Sequence, residues 1–153
     1  SYKQELYLID AQNKADLNAM EQSKNALAKS CQEGIAKLEK IGDYKGDVSV
    51  KKACLDMLNF YESEAAKFSD ITKYYITKEK FDKINASFEA KSQSQRSKAD
   101  VDQFNAAVNE LNEASNKYNA INQDLNQNRT KYLNKWNNDS DKLIDKFVPK
   151  KKK

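Results

Sequence analysis

The sequence predicts an all-α protein, an elongated antiparallel bundle of three long helices. From Asp47 to Val148 the chain contains neither glycine nor proline, the residues that most often interrupt regular backbone. Apolar residues recur every three or four positions, which places them on one face of a helix. The composition agrees, because a chain of 39% hydrophobic and 33% charged residues with three glycines and one proline is typical of long-helix proteins.

The first helix is expected to run from about Lys3 to Ile41. Gly34 lies inside it and either weakens the helix or lets a neighbouring helix approach closely. The predicted core stripe is Leu6, Ile9, Leu17, Met20, Leu27, Cys31, Ile35, Leu38 and Ile41.

Residues 42–47 hold two of the three glycines and form the clearest turn. Gly42 suits the left-handed position that ends a helix, and Asp47 suits the cap of the next one. The second helix follows, and a disturbed apolar pattern near Thr77 leaves open a break that would make four helices instead of three. Its stripe comprises Val50, Cys54, Met57, Leu58, Tyr61, Ala65, Phe68, Ile71, Tyr75, Phe81, Ile84 and Phe88.

Residues 91–98 contain no apolar side chain, so we place a second turn there. Ser97 and Asp100 have the spacing of a capping box at the start of the last helix. That helix is expected from about Ala99 to Phe147, with Pro149 ending it. The sequence therefore predicts a single bundle domain over residues 1–148 and a basic C-terminal tail over residues 149–153.

The net charge of +4 comes entirely from Lys150 to Lys153, because the other 23 basic residues match the 23 acidic ones. A neutral body argues against nucleic-acid binding, which needs a clustered basic face. Four lysines in the tail offer a weak contact with an anionic membrane, or simply aid solubility. No segment is apolar over the length that a membrane span requires.

The chain has no histidine. This removes the commonest general base, metal ligand and pH switch. There is no glycine-rich phosphate loop and no zinc-type ligand set, and carboxylates such as Glu62 and Glu64 are interpreted as solvated partners of nearby lysines. We therefore predict no enzyme activity, no cofactor, no metal and no small-molecule substrate.

Cys31 and Cys54 have two interpretations. In an antiparallel hairpin they are expected at similar heights on inward-facing stripes, which would permit a disulfide and imply an oxidising compartment. Alternatively, they are two buried thiols that pack as small apolar residues.

Two features are candidate contact sites. Tyr44 is an aromatic residue in the turn with no predicted core to fill. A stripe of asparagines, one residue beyond the apolar seam of the last helix, either binds a partner or forms a hydrated border of the core. Its first members are Asn105, Asn109, Asn112 and Asn116.

Several segments resemble a group of uncharacterised bacterial cell-envelope proteins, typically exported lipoproteins made of long helices. They are Gly46-Asp47, Leu58-Asn59-Phe60-Tyr61, the asparagine-rich stretch from Leu111 to Arg129, Trp136-Asn137 and Val148-Pro149-Lys150. The resemblance covers most of the chain and implies export, but no established site residues. A lipid anchor would need an acylated cysteine before Ser1.

The resulting functional hypothesis is a non-enzymatic bundle of the bacterial cell envelope, a periplasmic or surface protein that acts as a structural spacer or as an accessory subunit docked on a larger assembly. A protein partner is expected. The alternative is a ligand-binding or sensor bundle with a pocket between helices, lined by Tyr61, Phe68 and Tyr118.

Overall fold

The computed structural model describes residues 1–148, and they are all-α as predicted. Four helices follow in order: α1 (Tyr2–Asn13), α2 (Leu17–Glu39), α3 (Ser49–Glu89) and α4 (Lys98–Phe147). A 3₁₀ turn, Gln93–Gln95, lies between α3 and α4. The predicted basic tail of residues 149–153, with its proline, lies outside the described residues.

The prediction of one helix from Lys3 to Ile41 is wrong, because the chain breaks between α1 and α2. Ala15 adopts a left-handed backbone with φ 53°. Asp16 then caps α2 by accepting a hydrogen bond from the backbone N–H of Ala19 at 2.9 Å. An aspartate at this position satisfies one of the free N–H groups of a new helix, so a helix boundary lies between Asn13 and Leu17.

The turn between α2 and α3 is at the predicted place but has a different geometry. The left-handed glycine is Gly46, with φ 79°, rather than Gly42, and Lys45 before it has φ 53°. Two successive positive φ values close a tight turn, with backbone hydrogen bonds in both directions between Tyr44 and Asp47 at 2.9 and 3.0 Å. Asp47 then accepts from the backbone N–H of Ser49, the first residue of α3.

No break occurs near Thr77. This residue is buried inside an uninterrupted α3, so the fourth helix comes from the break before Asp16 and not from one here. The second predicted turn and its capping box are confirmed. The N–H of Ser97 donates to Asp100, and the N–H of Asp100 donates back to the Ser97 hydroxyl, at 2.8 and 3.2 Å.

The chain forms two compact units, and α3 and α4 each contribute to both. The first unit contains residues 1–66 and the chain from residue 124 onward, and the second contains residues 67–123.

The second unit is a hairpin of two antiparallel helical segments. Tyr74 stacks on Tyr118 with ring centroids 4.3 Å apart, and Phe88 stacks on Phe104 at 4.5 Å. An exposed ion pair joins Lys117 to Asp70 at 2.6 Å. Most apolar side chains of this hairpin are half-buried, because two helices alone cannot enclose a core.

The first unit combines α1 and α2 with the N-terminal part of α3 and the C-terminal part of α4. α1 packs on α2, and Leu58 of α3 packs over Gly34 of α2. A Cβ atom built on that glycine would lie 3.0 Å from a Leu58 methyl carbon, so close approach is what this glycine permits. The buried apolar residues of this unit are Leu8, Ala11, Met20, Leu27, Cys31, Ala53, Met57, Leu58, Phe60, Tyr61, Ala65 and Leu125.

Candidate functional site

Tyr44 lies at the surface, but it is not isolated. Its ring is 53% exposed and meets the ring of Phe147 edge-on, with centroids 5.2 Å apart. The ammonium of Lys45 lies 5.5 Å from the Tyr44 ring and 5.4 Å from that of Phe147. Tyr44 therefore helps to hold the α2–α3 turn against the last turn of α4, and a role in partner binding stays a prediction.

The asparagine stripe lies on the surface of α4. Asn105, Asn109, Asn112 and Asn116 are all exposed in the second unit. Exposed amides are free to exchange hydrogen bonds with water or with a partner, so their use as a contact site also stays a prediction.

Cys31 and Cys54 are free thiols in the structure, so the disulfide interpretation is not realised. The helix register explains this. Gln32 of α2 hydrogen-bonds to Glu62 of α3, so Cys31 is level with about residue 63 of α3. That position is about nine residues from Cys54, or roughly 13 Å along the helix axis. A disulfide needs Cα atoms within about 7 Å.

The residues expected to line an inter-helix pocket have separate surroundings. Tyr61 lies in the first unit and lines a cavity. Phe68 is fully buried among core residues, and Tyr118 belongs to a cluster of tyrosines with Tyr74 and Tyr75. Tyr61 belongs to the first unit and the other two rings to the second, so a pocket shared by all three stays a prediction.

An apolar groove in the first unit was not predicted. Its upper part is a cavity of about 400 Å³ that opens to solvent. The lining is almost entirely apolar and aromatic, and its polar members are Ser1 and Asn137. The lining residues are Ser1, Tyr2, Cys54, Met57, Leu58, Tyr61, Leu133, Trp136 and Asn137.

A second cavity, of about 330 Å³, continues this groove towards the α2–α3 turn. The two cavities share Cys54 and Trp136. Together they form what we call the Trp136 groove. The lower part is lined by Leu38, Ile41, Gly42, Tyr44, Asp47, Val50, Lys51, Cys54, Trp136 and Leu143.

The first unit also contains a buried ion cluster that joins three helices. The Nε atom of Arg129 on α4 donates to Glu5 of α1 at 2.5 Å, and its Nη2 atom donates to Glu64 of α3. Both glutamate side chains are 1% exposed. The remaining terminal nitrogen, Nη1, donates to the Asn126 side chain at 2.7 Å.

The cluster shifts the pKa values of its members. Burial raises the pKa of the Glu64 carboxyl to about 7, with a further contribution from the charge of Glu5, and Arg129 only partly opposes this. Burial, reinforced by Glu5, also raises the pKa of the Tyr61 hydroxyl, which adjoins the cluster and lines the groove. The interpretation of Glu64 as a solvated partner of a lysine is therefore wrong.

A weak sequence signal for this cluster does exist. Glu64 falls three residues after Tyr61 and four before Phe68, which is on the inward face of α3. Glu5 shares the inward face of α1 with Leu8 and Ala11, whereas the predicted Leu6 is 45% exposed. Two acids on core faces require a cation, but only the folded structure identifies Arg129 as that cation.

Within residues 1–148, no three histidine, cysteine, aspartate or glutamate side chains are grouped as a metal site would require. None of the helices described for this part of the chain is long and apolar enough to cross a bilayer.

Comparison with known proteins found no matching family model, no similar curated protein and no similar solved structure. Function is therefore inferred from the structure. The first unit is a helical bundle with an open apolar groove and a buried ion cluster beside it.

Proposed function

We propose that this protein is a non-enzymatic helical bundle of the bacterial cell envelope. It acts as an accessory subunit that receives an amphipathic helix of a partner protein in the Trp136 groove. The groove is the observation that carries this proposal, because a solvent-open, largely apolar channel between helices is the kind of surface that binds helices.

The dimensions of the groove support a helical occupant. Its two cavities extend along α3 from Val50 to Tyr61, a distance of about 17 Å or three helical turns. An amphipathic helix of that length presents apolar side chains at positions i, i+4 and i+7 to one face. Trp136 and Tyr61 are aromatic residues of the type that anchors protein interfaces.

The location rests on the resemblance to envelope proteins, and the absence of histidine supports a non-enzymatic role. A spacer role would require the elongated antiparallel bundle predicted from the sequence. The lengths of α3 and α4, 41 and 50 residues, support it, since such helices measure roughly 60 and 75 Å.

Site-specific photocrosslinking tests this function. A photoreactive phenylalanine analogue is placed at Tyr2 or Leu133, which line the groove, and at the exposed Asn112 as a matched control, in the bacterium that makes the protein. We expect the same protein adduct from both groove positions and none from Asn112. Adding Trp136→Ala should abolish the adduct, because it removes the central side chain of the groove.

An adduct from Asn112 and none from the groove positions would contradict the proposal. It would instead favour the asparagine stripe as the contact site. An adduct that survives Trp136→Ala would also count against docking in the groove.

One observation favours a second candidate function, the binding of a small apolar ligand. The upper cavity, at about 400 Å³, has the volume of typical small-molecule sites and an aromatic lining. Its opening to solvent favours the docking of a helix, because ligand pockets usually enclose most of the ligand surface.

On this second hypothesis, a long-chain fatty acid added to the purified protein should raise its melting temperature in a saturable way, since a ligand that binds only the folded state stabilises it. Leu133→Glu should abolish the rise by placing a charge in the lining, whereas Asn112→Glu should leave it unchanged. No rise for the unaltered protein would exclude the fatty acid as a ligand.

A further inference from the structure

The ion cluster of the first unit has more negative than positive charge. Glu5 and Glu64 are both 1% exposed, and the cation Arg129 hydrogen-bonds to both of them. Arg129 divides its donors between Glu5, Glu64 and Asn126, so neither carboxylate receives the paired hydrogen bonds that stabilise a buried charge best. With both acids ionised, a net charge of about −1 would be buried.

The second carboxylate oxygen of Glu64, Oε2, is where this excess is most evident. It has no hydrogen-bond partner among the described residues. A buried carboxylate oxygen without a donor is costly when it is charged. Binding a proton to this group removes the excess charge without moving any helix.

The three ionic side chains come from different helices, and this links the charge to the position of α1. If α1 leaves the bundle, Glu5 leaves with it, and Glu64 and Arg129 form a balanced one-to-one pair. If α1 is seated, the same pair faces an additional carboxylate. Seating α1 therefore favours the uptake of one proton by the cluster.

We propose that Glu64 is a proton-binding site that couples the seating of α1 to pH, so that α1 is held on the bundle when the Glu64 carboxyl is neutral and is released as it ionises. This inference concerns regulation within the fold and does not depend on the proposed docking function.

The groups that face Glu64 from each helix support this assignment. They are Glu5 of α1, Cys31 of α2, Tyr61 of α3 and Arg129 of α4. Burial raises the pKa of the Cys31 thiol and of the Tyr61 hydroxyl above their usual values, so these two stay neutral near pH 7. Burial brings the pKa of Glu64 to about 7.

α1 is the helix best suited to move. It has 12 residues, and its buried side chains are Glu5, Leu8 and Ala11. An isolated helix of this length is marginal in water, so its seating depends on these few contacts. The turn at Ala15 separates it from the longer α2.

Native-state hydrogen exchange tests the proposal. Exchange rates of α1 amides, corrected for the intrinsic effect of pH, give the opening equilibrium of the helix. Because the raised pKa of Glu64 falls towards its ordinary value on opening, we expect the opening constant of α1 to rise roughly tenfold between pH 6 and pH 8.

Three variants separate the coupling from a general effect of charge. Glu64→Gln should abolish the pH dependence, because it removes the group that binds the proton. Glu5→Gln should weaken it, because Glu64 stays buried but no longer faces a second carboxylate. The matched control is Glu62→Gln, since Glu62 lies two residues away on α3 and is only half-buried. This control should retain the full tenfold change.

A carbon-13 titration of the side-chain carboxyls gives a direct second measurement on the unaltered protein. We expect the Glu64 signal to titrate with a midpoint above about 6, compared with about 4.3 for an ordinary glutamate. A midpoint below about 6 would overturn the proposal. So would an α1 opening constant that does not change with pH, or a pH dependence that is unchanged in Glu64→Gln or in Glu5→Gln.

Discussion

Replacing Arg129 with methionine is expected to lower the free energy of unfolding by roughly 3–5 kcal/mol at pH 8. The reason is that Glu5 and Glu64, each 1% exposed, lose the cation that both of them contact. Leaving a buried charge unpaired costs far more than the pair itself contributes. Urea denaturation followed by circular dichroism would measure the loss.

The matched control is Lys117→Met, which removes the cation from an ion pair that is largely solvent-exposed. Its effect should stay below about 1 kcal/mol, because water already solvates both charges. Changing Glu5 and Glu64 to methionine together with Arg129 should recover much of the loss, since apolar residues of similar volume often replace a buried ion cluster without cost. Equal effects of Arg129→Met and Lys117→Met would show that the cluster is solvated.

Leu8→Ala is expected to lower the free energy of unfolding by roughly 2–5 kcal/mol, the usual range for a fully buried leucine. Leu8 is 0% exposed and is the largest apolar side chain by which α1 is anchored to the first unit. Leu6→Ala should change it by less than about 0.5 kcal/mol, because Leu6 lies on the outer face and is 45% exposed.

This pair of variants also distinguishes the predicted face of the first helix from the observed one. The sequence pattern placed Leu6 and Ile9 in the core, whereas the structure places Glu5, Leu8 and Ala11 there. In the same denaturation experiment, a larger loss of unfolding free energy from Leu6→Ala than from Leu8→Ala would show that the face with Leu6 is the buried face of α1.

The features that the sequence predicted well depend on local chemistry. The capping box of Ser97 and Asp100 is confirmed because its hydrogen bonds lie within four residues. The long α3 and α4 follow from the absence of glycine and proline between Asp47 and Val148. The turn before Asp47 is also local, although the left-handed glycine in it is Gly46 instead of Gly42.

The features that the sequence missed depend on tertiary context. The apolar spacing continues across Ala15, so the sequence did not reveal the helix boundary there. It therefore also missed that α1 and α2 bury different faces from those of one continuous helix. The lack of histidine excluded the usual pH switch. It could not exclude a glutamate such as Glu64, whose pKa rises because the other helices bury it.

The groove contains the single tryptophan of the chain, Trp136. Indole emission from this protein therefore originates at one known place, without any attached dye. A blue shift, or reduced quenching by iodide, on mixing with a candidate partner would report that water has been displaced from around this ring. The molecule thus supplies its own optical probe for screening occupants of the groove.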